Sequence, residues 1–254
     1  MPPAKQRGFS IFRDVFAKYS GLSLTRKTDR LVAVAGLEHR LSNFFDTISI
    51  YGIVRDFFPE SLLWRRSQRE RLESLIDFND DVASWRIKVK KVPSWSWMAY
   101  TGEISYATIP SDKFNWTCGI NFVFSQEFRV MLEAPLAQFS QSCRIEPCDD
   151  SNCKLYCEAT KCGLAHDDNR VVGWIRYDQE DQVEIDRLGA ITLAQGNVDW
   201  KESADISWSD EIVRGEFDFV LVVQSISSGG YRRIGVAIVE YEHLVHKTDS
   251  VLVF

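Results

Sequence analysis

The chain has 254 residues, a formal net charge of −6 at pH 7, 45% apolar residues and 26% charged residues. This composition predicts a globular protein of one large or two small domains, and the lack of a basic stripe disfavours nucleic-acid binding. No stretch approaches the roughly 18 apolar residues of a membrane span, and the N-terminus lacks a signal peptide, so we expect a cytoplasmic protein with reduced cysteines.

Helical periodicity dominates the first third of the chain. The first predicted helix has its apolar residues three and four positions apart and ends at Gly21: Phe9, Phe12, Val15, Phe16 and Tyr19. Thr28 is a candidate cap for a second helix that begins near Asp29. A third helical segment is predicted within residues 51–75, with Pro59 at its start and an apolar cluster formed by Leu62, Leu63 and Trp64.

The polar run "DFNDDVAS" at residues 77–84 indicates a boundary, which divides the chain into a helical region, 1–84, and a β-rich region, 85–254. Short apolar or alternating runs follow it, separated by turn residues, at 85–92, 95–106, 121–132, 171–177, 217–223, 231–239 and 250–254. Residues 227–230, "SSGG", predict a hairpin turn. The predicted class is α+β, with an N-terminal helical segment packed on a predominantly antiparallel β-rich sandwich or barrel-like unit.

A group of cysteines is the first candidate for chemistry. Five cysteines and a histidine lie close together in the sequence: Cys143, Cys148, Cys153, Cys157, Cys162 and His166. Zinc accepts these ligand types, but the gaps are four, four, three and four residues, and none is the two-residue gap typical of zinc sites. Free thiols are therefore favoured, and a zinc-stabilised module is the weaker alternative.

No catalytic pattern accompanies the four histidines, which are His39, His166, His243 and His246. None lies beside a nucleophile motif. The adjacent aspartates at 80–81, 149–150 and 167–168 are typical of solvated turns rather than of carboxylates facing each other across a cleft. No glycine pattern predicts a phosphate or dinucleotide loop. We therefore assign no catalytic, cofactor-binding or metal-binding residues and no cofactor, and we predict that the protein is not an enzyme.

The segment "PSWSW" at residues 93–97 allows two interpretations. On an extended strand Trp95 and Trp97 would point to one face, about 7 Å apart, and Ser94 and Ser96 to the other. The tryptophans would then form either an exposed shelf for a small ligand or a buried anchor beside the helical layer. The apolar neighbours Met98, Tyr100, Ile104 and Tyr106 favour burial.

Four segments of the chain resemble, in order, blocks of fungal heterokaryon-incompatibility (HET) proteins. The first is "YSGLSLTRKTDRLVAVAGL", through Tyr19, Ser20, Leu24, Thr25, Asp29, Arg30, Leu31, Ala33 and Gly36. The second is "YGIVRDFFPESLLWR", through Leu62, Leu63 and Trp64. The third is "KVPSWSWMAYTG", through Pro93 to Trp97 and Gly102. The fourth is "YRRIGVAIV", through Tyr231, Arg232, Arg233, Gly235 and Val236.

The resemblance implies a role in fungal non-self recognition, in which incompatible fusion triggers cell death. In that family the blocks lie beyond the HET domain, to which the death-inducing activity belongs, and they carry no known catalytic residues. The expectation is a non-enzymatic scaffold, interaction or regulatory module with a protein partner and without the HET portion. The alternative is a small-ligand-binding protein or enzyme with a pocket near Trp95 and Trp97.

Overall fold

A computed structural model describes residues 3–22, 29–67, 72–74, 92–107, 114–117, 119–124, 130–147, 161–179, 184–199, 214–227 and 229–254. Several sequence predictions lie outside these residues. They concern Thr28, the boundary at 77–84, the strand at 85–91 and the aspartates at 80–81 and 149–150. No helix within the described part of the chain is long and apolar enough to cross a membrane.

Two long helices begin the chain: α1, Pro3–Ser20, and α2, Asp29–Phe45. A hairpin of β1, Ser49–Ile50, and β2, Ile53–Val54, leads into the one-turn helix α3, Phe58–Ser61. Short strands follow: β3, Trp64–Arg66; β4, Glu73–Ser74; β5, Tyr100–Thr101; and β6, Ile104–Tyr106. They pair antiparallel as β3 with β6 and β4 with β5, so the segment after residue 92 is joined to the segment before it.

The remaining strands form one large sheet. Its members are β7, Phe114–Trp116; β8, Asn121–Phe124; β9, Val130–Phe139; β10, Cys143–Pro147; β11, Lys161–His166; β12, Val171–Tyr177; β13, Leu188–Asp199; β14, Arg214–Ser225; β15, Tyr231–Glu240; and β16, Leu244–Val253. The order is β10-β11-β12-β15-β14-β13-β9-β16, with β7 beside β13 and β8 beside β9. All these pairs are antiparallel except one parallel pair of β15 with β16 at Tyr231 and Val253, which closes a barrel-like ring.

The protein is thus an α+β protein whose β-rich part is predominantly antiparallel, as predicted. Alternation along the central strand β14 separates two hydrophobic cores. The larger core contains Phe217, Phe219 and Leu221 together with buried residues of the helices. The smaller core contains Val220 and Val222. Because every second residue points to the same face, Asp218 lies on the face of the smaller core.

The first helix and the C-terminal hairpin agree with the sequence predictions. In α1, Phe9, Phe12 and Phe16 are buried, and Phe16 packs 5.5 Å from the ring of Trp97. The turn between β14 and β15 carries positive φ angles at Gly229 and Gly230, of 86° and 90°. These angles require glycine for steric reasons, so the "GG" pair specifies the turn.

The predicted third helix is wrong at the described residues beyond Ser61, which are 62–67 and 72–74. Pro59 does lie in the first turn of α3, but the helix ends after four residues, and Trp64 begins strand β3. Leu62, Leu63 and Trp64 are all almost completely buried. Three consecutive residues on a helix cannot face one core together, and a one-turn helix has little stability of its own. Pairing with β6 therefore overrides the local helical pattern.

The prediction of one strand from Trp95 to Tyr106 is also wrong. Residues 94–96 form a turn, Trp97–Ala99 form a 3-10 helix, and only then do β5 and β6 follow. The predicted run 121–132 likewise divides into two strands, β8 and β9, which pair with each other.

Candidate functional site

The "PSWSW" segment lies at a buried junction between the helical layer and the sheet. Trp95 and Trp97 are both 0% exposed, which confirms the packing interpretation and excludes an exposed shelf in this structure. The geometry differs from the expected one, because the segment is not extended. Trp95 packs against Tyr51 and Phe122 at ring distances of 6.2 and 5.6 Å, whereas Trp97 packs against Phe16.

The two serines are buried as well and do not face solvent. Ser96 donates a hydrogen bond of 2.6 Å to the carbonyl of Tyr51 and accepts one from the backbone N–H of Met98. Ser94 accepts a hydrogen bond of 3.0 Å from the backbone N–H of Arg233 and donates to the carbonyl of Phe254. The two hydroxyls thus bind backbone groups at the buried junction, where an unpaired polar group would be costly.

Arg233 is the charged centre of this junction and is only 1% exposed. Its Nε and Nη2 donate to the two carboxylate oxygens of Asp178 at 2.8 and 3.1 Å. Nη1 donates to the carbonyl of Leu62 at 2.7 Å, and Nη2 to that of Trp64 at 2.5 Å. The guanidinium carbon lies 3.3 Å from the centre of the Trp64 ring, within cation–π range. Burial raises the pKa of Asp178, and the charge of Arg233 opposes that rise.

On the other face of β14 the structure contains an open cleft of about 420 Å³. Asn115 on β7, Gln195 on β13 and Asp218 on β14 are register partners on adjacent strands, and all three line the cleft. Directly paired residues point to the same face of a sheet, so they form a polar row across three strands. His246 and Lys247, at a register shift of β16, also line the cleft, as do Trp116 and Tyr241.

Asp218 is the unusual member of the row. Its side chain is 0% exposed, and neither carboxylate oxygen accepts a hydrogen bond from the part of the chain that the structure describes. His246 Nε2 lies 3.4 Å from Oδ2, and the His246 ring stacks on Tyr241 at 5.3 Å. Burial, assisted by the negative charge of Glu216, raises the pKa of Asp218 from 3.8 to about 7. The group can therefore bind or release a proton near neutral pH.

The stability of the protein should therefore depend on pH through Asp218. A pKa that is higher in the folded state than in the unfolded state means that the folded state binds more protons between the two values. Asp218 therefore stabilises the folded state most below about pH 4, where it is protonated in both states, and this stabilisation is lost as pH rises through 7. We expect Asp218→Asn to gain stability relative to the wild type between pH 5 and pH 8, measured by urea unfolding at each pH. The exposed Asp186, replaced in the same way, is the control, and parallel pH profiles for Asp218→Asn and the wild type would contradict this assignment.

The cysteines and His166 do not form a shared metal site where they are described. Cys143 and Cys162 are buried free thiols, and burial raises the pKa of each, which opposes the thiolate form that zinc binds. Cys143 pairs with His166 at one end of the β10–β11 pair, and Cys162 pairs with Pro147 at the other, about 13 Å away at strand spacing. One ion cannot reach both thiols. Cys148, Cys153 and Cys157 lie outside the described residues.

The other histidines occupy different environments. His39 is exposed on α2 near Asn43, as expected for a surface residue. His243 is buried beside Glu240 and Glu242, and these three are the only group in the described ranges whose ligand atoms lie close enough to hold a metal. Arg170 already binds both glutamates, at 2.6 and 3.2 Å, so the cluster is charge-paired without an ion. The aspartates at 167–168 are exposed, as predicted for a turn.

Asp218 and Arg233, the two groups with the most informative environments, are not among the residues predicted from the sequence. Asp218 is a single acid within the apolar run "FDFVLVV", and that pattern could have indicated a buried carboxylate. Arg233 is adjacent to Arg232 in "YRRIG", and neither composition nor spacing distinguishes the buried arginine from its half-buried neighbour.

Comparison with known proteins identifies no relative: no family model, no curated protein and no solved structure matches the chain. The structure itself therefore provides the evidence on function. Its two main features are the buried junction of aromatic residues around Arg233, on one side of the sheet, and the polar cleft beside Asp218, on the other.

Proposed function

We propose that this protein is a non-enzymatic interaction or regulatory module related to fungal heterokaryon-incompatibility proteins. It acts in the cytoplasm with a protein partner and does not itself carry the death-inducing activity. One observation supports the proposal: three of the four HET-like blocks bind one another directly at the buried junction. Trp64 donates to the carbonyl of Trp95 at 2.9 Å, while Arg233 binds the second block through two carbonyls and the third through Ser94.

The first block is attached to the same assembly. The Ser20 hydroxyl accepts a hydrogen bond of 2.8 Å from the backbone N–H of Ile104, two residues after Gly102, the end of the third block. None of the matching residues lines the cleft. Among the described residues that carry the resemblance, Trp64, Ser94 and Arg233 thus hold the layers together through structural hydrogen bonds. A shared scaffold, rather than a shared active site, accounts for such a pattern.

The test is expression of the chain in a filamentous fungus, alone and together with a protein that contains a HET domain. We expect no loss of viability from the chain alone and a changed frequency of cell death at incompatible fusion when both are present. Arg233→Leu should abolish the effect by disrupting the junction, and Arg232→Leu is the matched control. Cell death caused by the chain alone, or an unchanged frequency when both proteins are present, would overturn the proposal.

A further inference from the structure

The cleft beside Asp218 has the features of a binding site that lies outside the HET-like blocks. Its volume falls within the range of about 300–1,000 Å³ that is typical of small-molecule pockets. Its walls combine two aromatic residues, Trp116 and Tyr241, with the polar row of Asn115, Gln195 and Asp218. Within the described residues the buried carboxylate of Asp218 accepts no hydrogen bond, and only the His246 ring nitrogen lies near it, at 3.4 Å. A buried carboxylate without donors is costly to a folded protein, and a ligand in the cleft could supply them.

We propose that this cleft binds a small organic cation with a planar head, of the amidinium or guanidinium class, through the carboxylate of Asp218. Such a head presents two parallel N–H donors, which match the two oxygens of a carboxylate. The aromatic ring of Tyr241 would cover the flat body of the ligand and interact favourably with its charge. The side-chain carbonyls of Asn115 and Gln195 supply acceptors for the remaining N–H groups.

Two residues of β16 at the cleft, His246 and Lys247, limit which ligands fit. Both are exposed, so the ammonium of Lys247 can remain in water while a ligand occupies the interior. His246 covers one oxygen of Asp218 at 3.4 Å and must turn aside for a two-point contact. His246 is 42% exposed, which leaves it room to do so.

Binding of a cation should be linked to protonation of Asp218. The groups that face this carboxyl are His246 from β16, Glu216 on its own strand and Lys247 at the cleft. A bound cation favours the ionised carboxylate and would lower its pKa, so binding should release a proton near neutral pH. We therefore expect affinity to rise between pH 6 and pH 8.

The experiment is isothermal titration calorimetry of the full chain with benzamidine, with benzoate as a probe of the same shape and opposite charge. We expect benzamidine to bind and benzoate not to bind. Asp218→Asn should weaken benzamidine binding about thirtyfold or more, because the charged partner is lost, while Asp186→Asn should not change it. Circular dichroism and thermal unfolding of each variant establish that it is folded.

A second variant separates Asp218 from its neighbour. His246→Ala uncovers the carboxylate and should bind benzamidine at least as tightly as the wild type. The proposal would be overturned by preferential binding of benzoate, by equal affinity of folded Asp218→Asn, by loss of binding in His246→Ala, or by no benzamidine binding at all. These results do not depend on the fungal assay, since none of the residues involved belongs to the HET-like blocks.

Discussion

Replacement of Arg233 by leucine is expected to lower the free energy of unfolding by about 3–5 kcal/mol. The substitution would remove the cation that donates to the buried carboxylate of Asp178, and it would leave the carbonyls of Leu62 and Trp64 without this donor. Removal of one member of a buried ion pair is costly because the remaining charge is not solvated. Urea denaturation, followed by tryptophan fluorescence and circular dichroism, measures the loss.

Arg232 provides a control at the adjacent position. It is half-buried and, among the described residues, its side chain donates hydrogen bonds to Gln224 alone, at 2.9 and 3.2 Å, so Arg232→Leu should cost less than about 1 kcal/mol. Adding Asp178→Leu to Arg233→Leu should recover part of the stability, because the uncompensated charge is then removed. Equal losses for the two arginine variants would show that Arg233 does not hold the junction together.

The second large effect is expected at Gly52, in the turn between β1 and β2. Its φ is +78°, and a Cβ atom there would lie 2.1 Å from Nε1 of Trp97, far inside contact distance. The backbone N–H of Gly52 also donates to the buried carboxyl of Glu38 at 2.6 Å, so the turn cannot move freely. Gly52→Ala should therefore destabilise by about 2–5 kcal/mol, from the left-handed backbone and the steric conflict together.

The variant Gly229→Ala separates the cost of the left-handed backbone from the cost of the steric conflict with Trp97. The φ of Gly229 is +86°, but a Cβ atom there would have no atom of the described residues within 4 Å. Gly229→Ala should cost only the backbone penalty of about 1–2 kcal/mol, and the difference between the two variants measures the contact with Trp97. Thermal unfolding of both variants under identical conditions gives this difference. A similar loss in both would mean that Trp97 does not approach the turn.

The two experiments also test whether packing at the junction explains the residues of the proposed HET-like blocks. Arg233 and Trp97 belong to different blocks, and Gly52 lies in the segment that resembles the second block. If both substitutions act as expected, the characteristic residues are explained by packing at a shared junction. The proposed interaction role would then depend on surfaces elsewhere on the scaffold, which the junction holds in place.

Parts of this fold could be predicted because neighbouring residues determine them. The spacing of Phe9, Phe12 and Phe16 defines one face of α1, and the structure buries that face. Strand β12, Val171–Tyr177, agrees with its predicted bounds, and Gly229 and Gly230 form the predicted turn. In each case the pattern repeats at the period of the element, or a backbone angle admits only one residue type.

The sequence by itself therefore determined the α+β class, the first helix and the main hairpin, and it favoured burial of the "PSWSW" tryptophans. Only the tertiary structure decided that Trp64 lies in a strand, that Arg233 rather than Arg232 enters the core, and that Asp218 borders a cleft. Each of these results depends on partners far away in the chain: β6 for Trp64, Asp178 for Arg233 and His246 for Asp218. Local periodicity contains no information about such partners, because the free energy of a buried charge depends on which groups the fold brings to it.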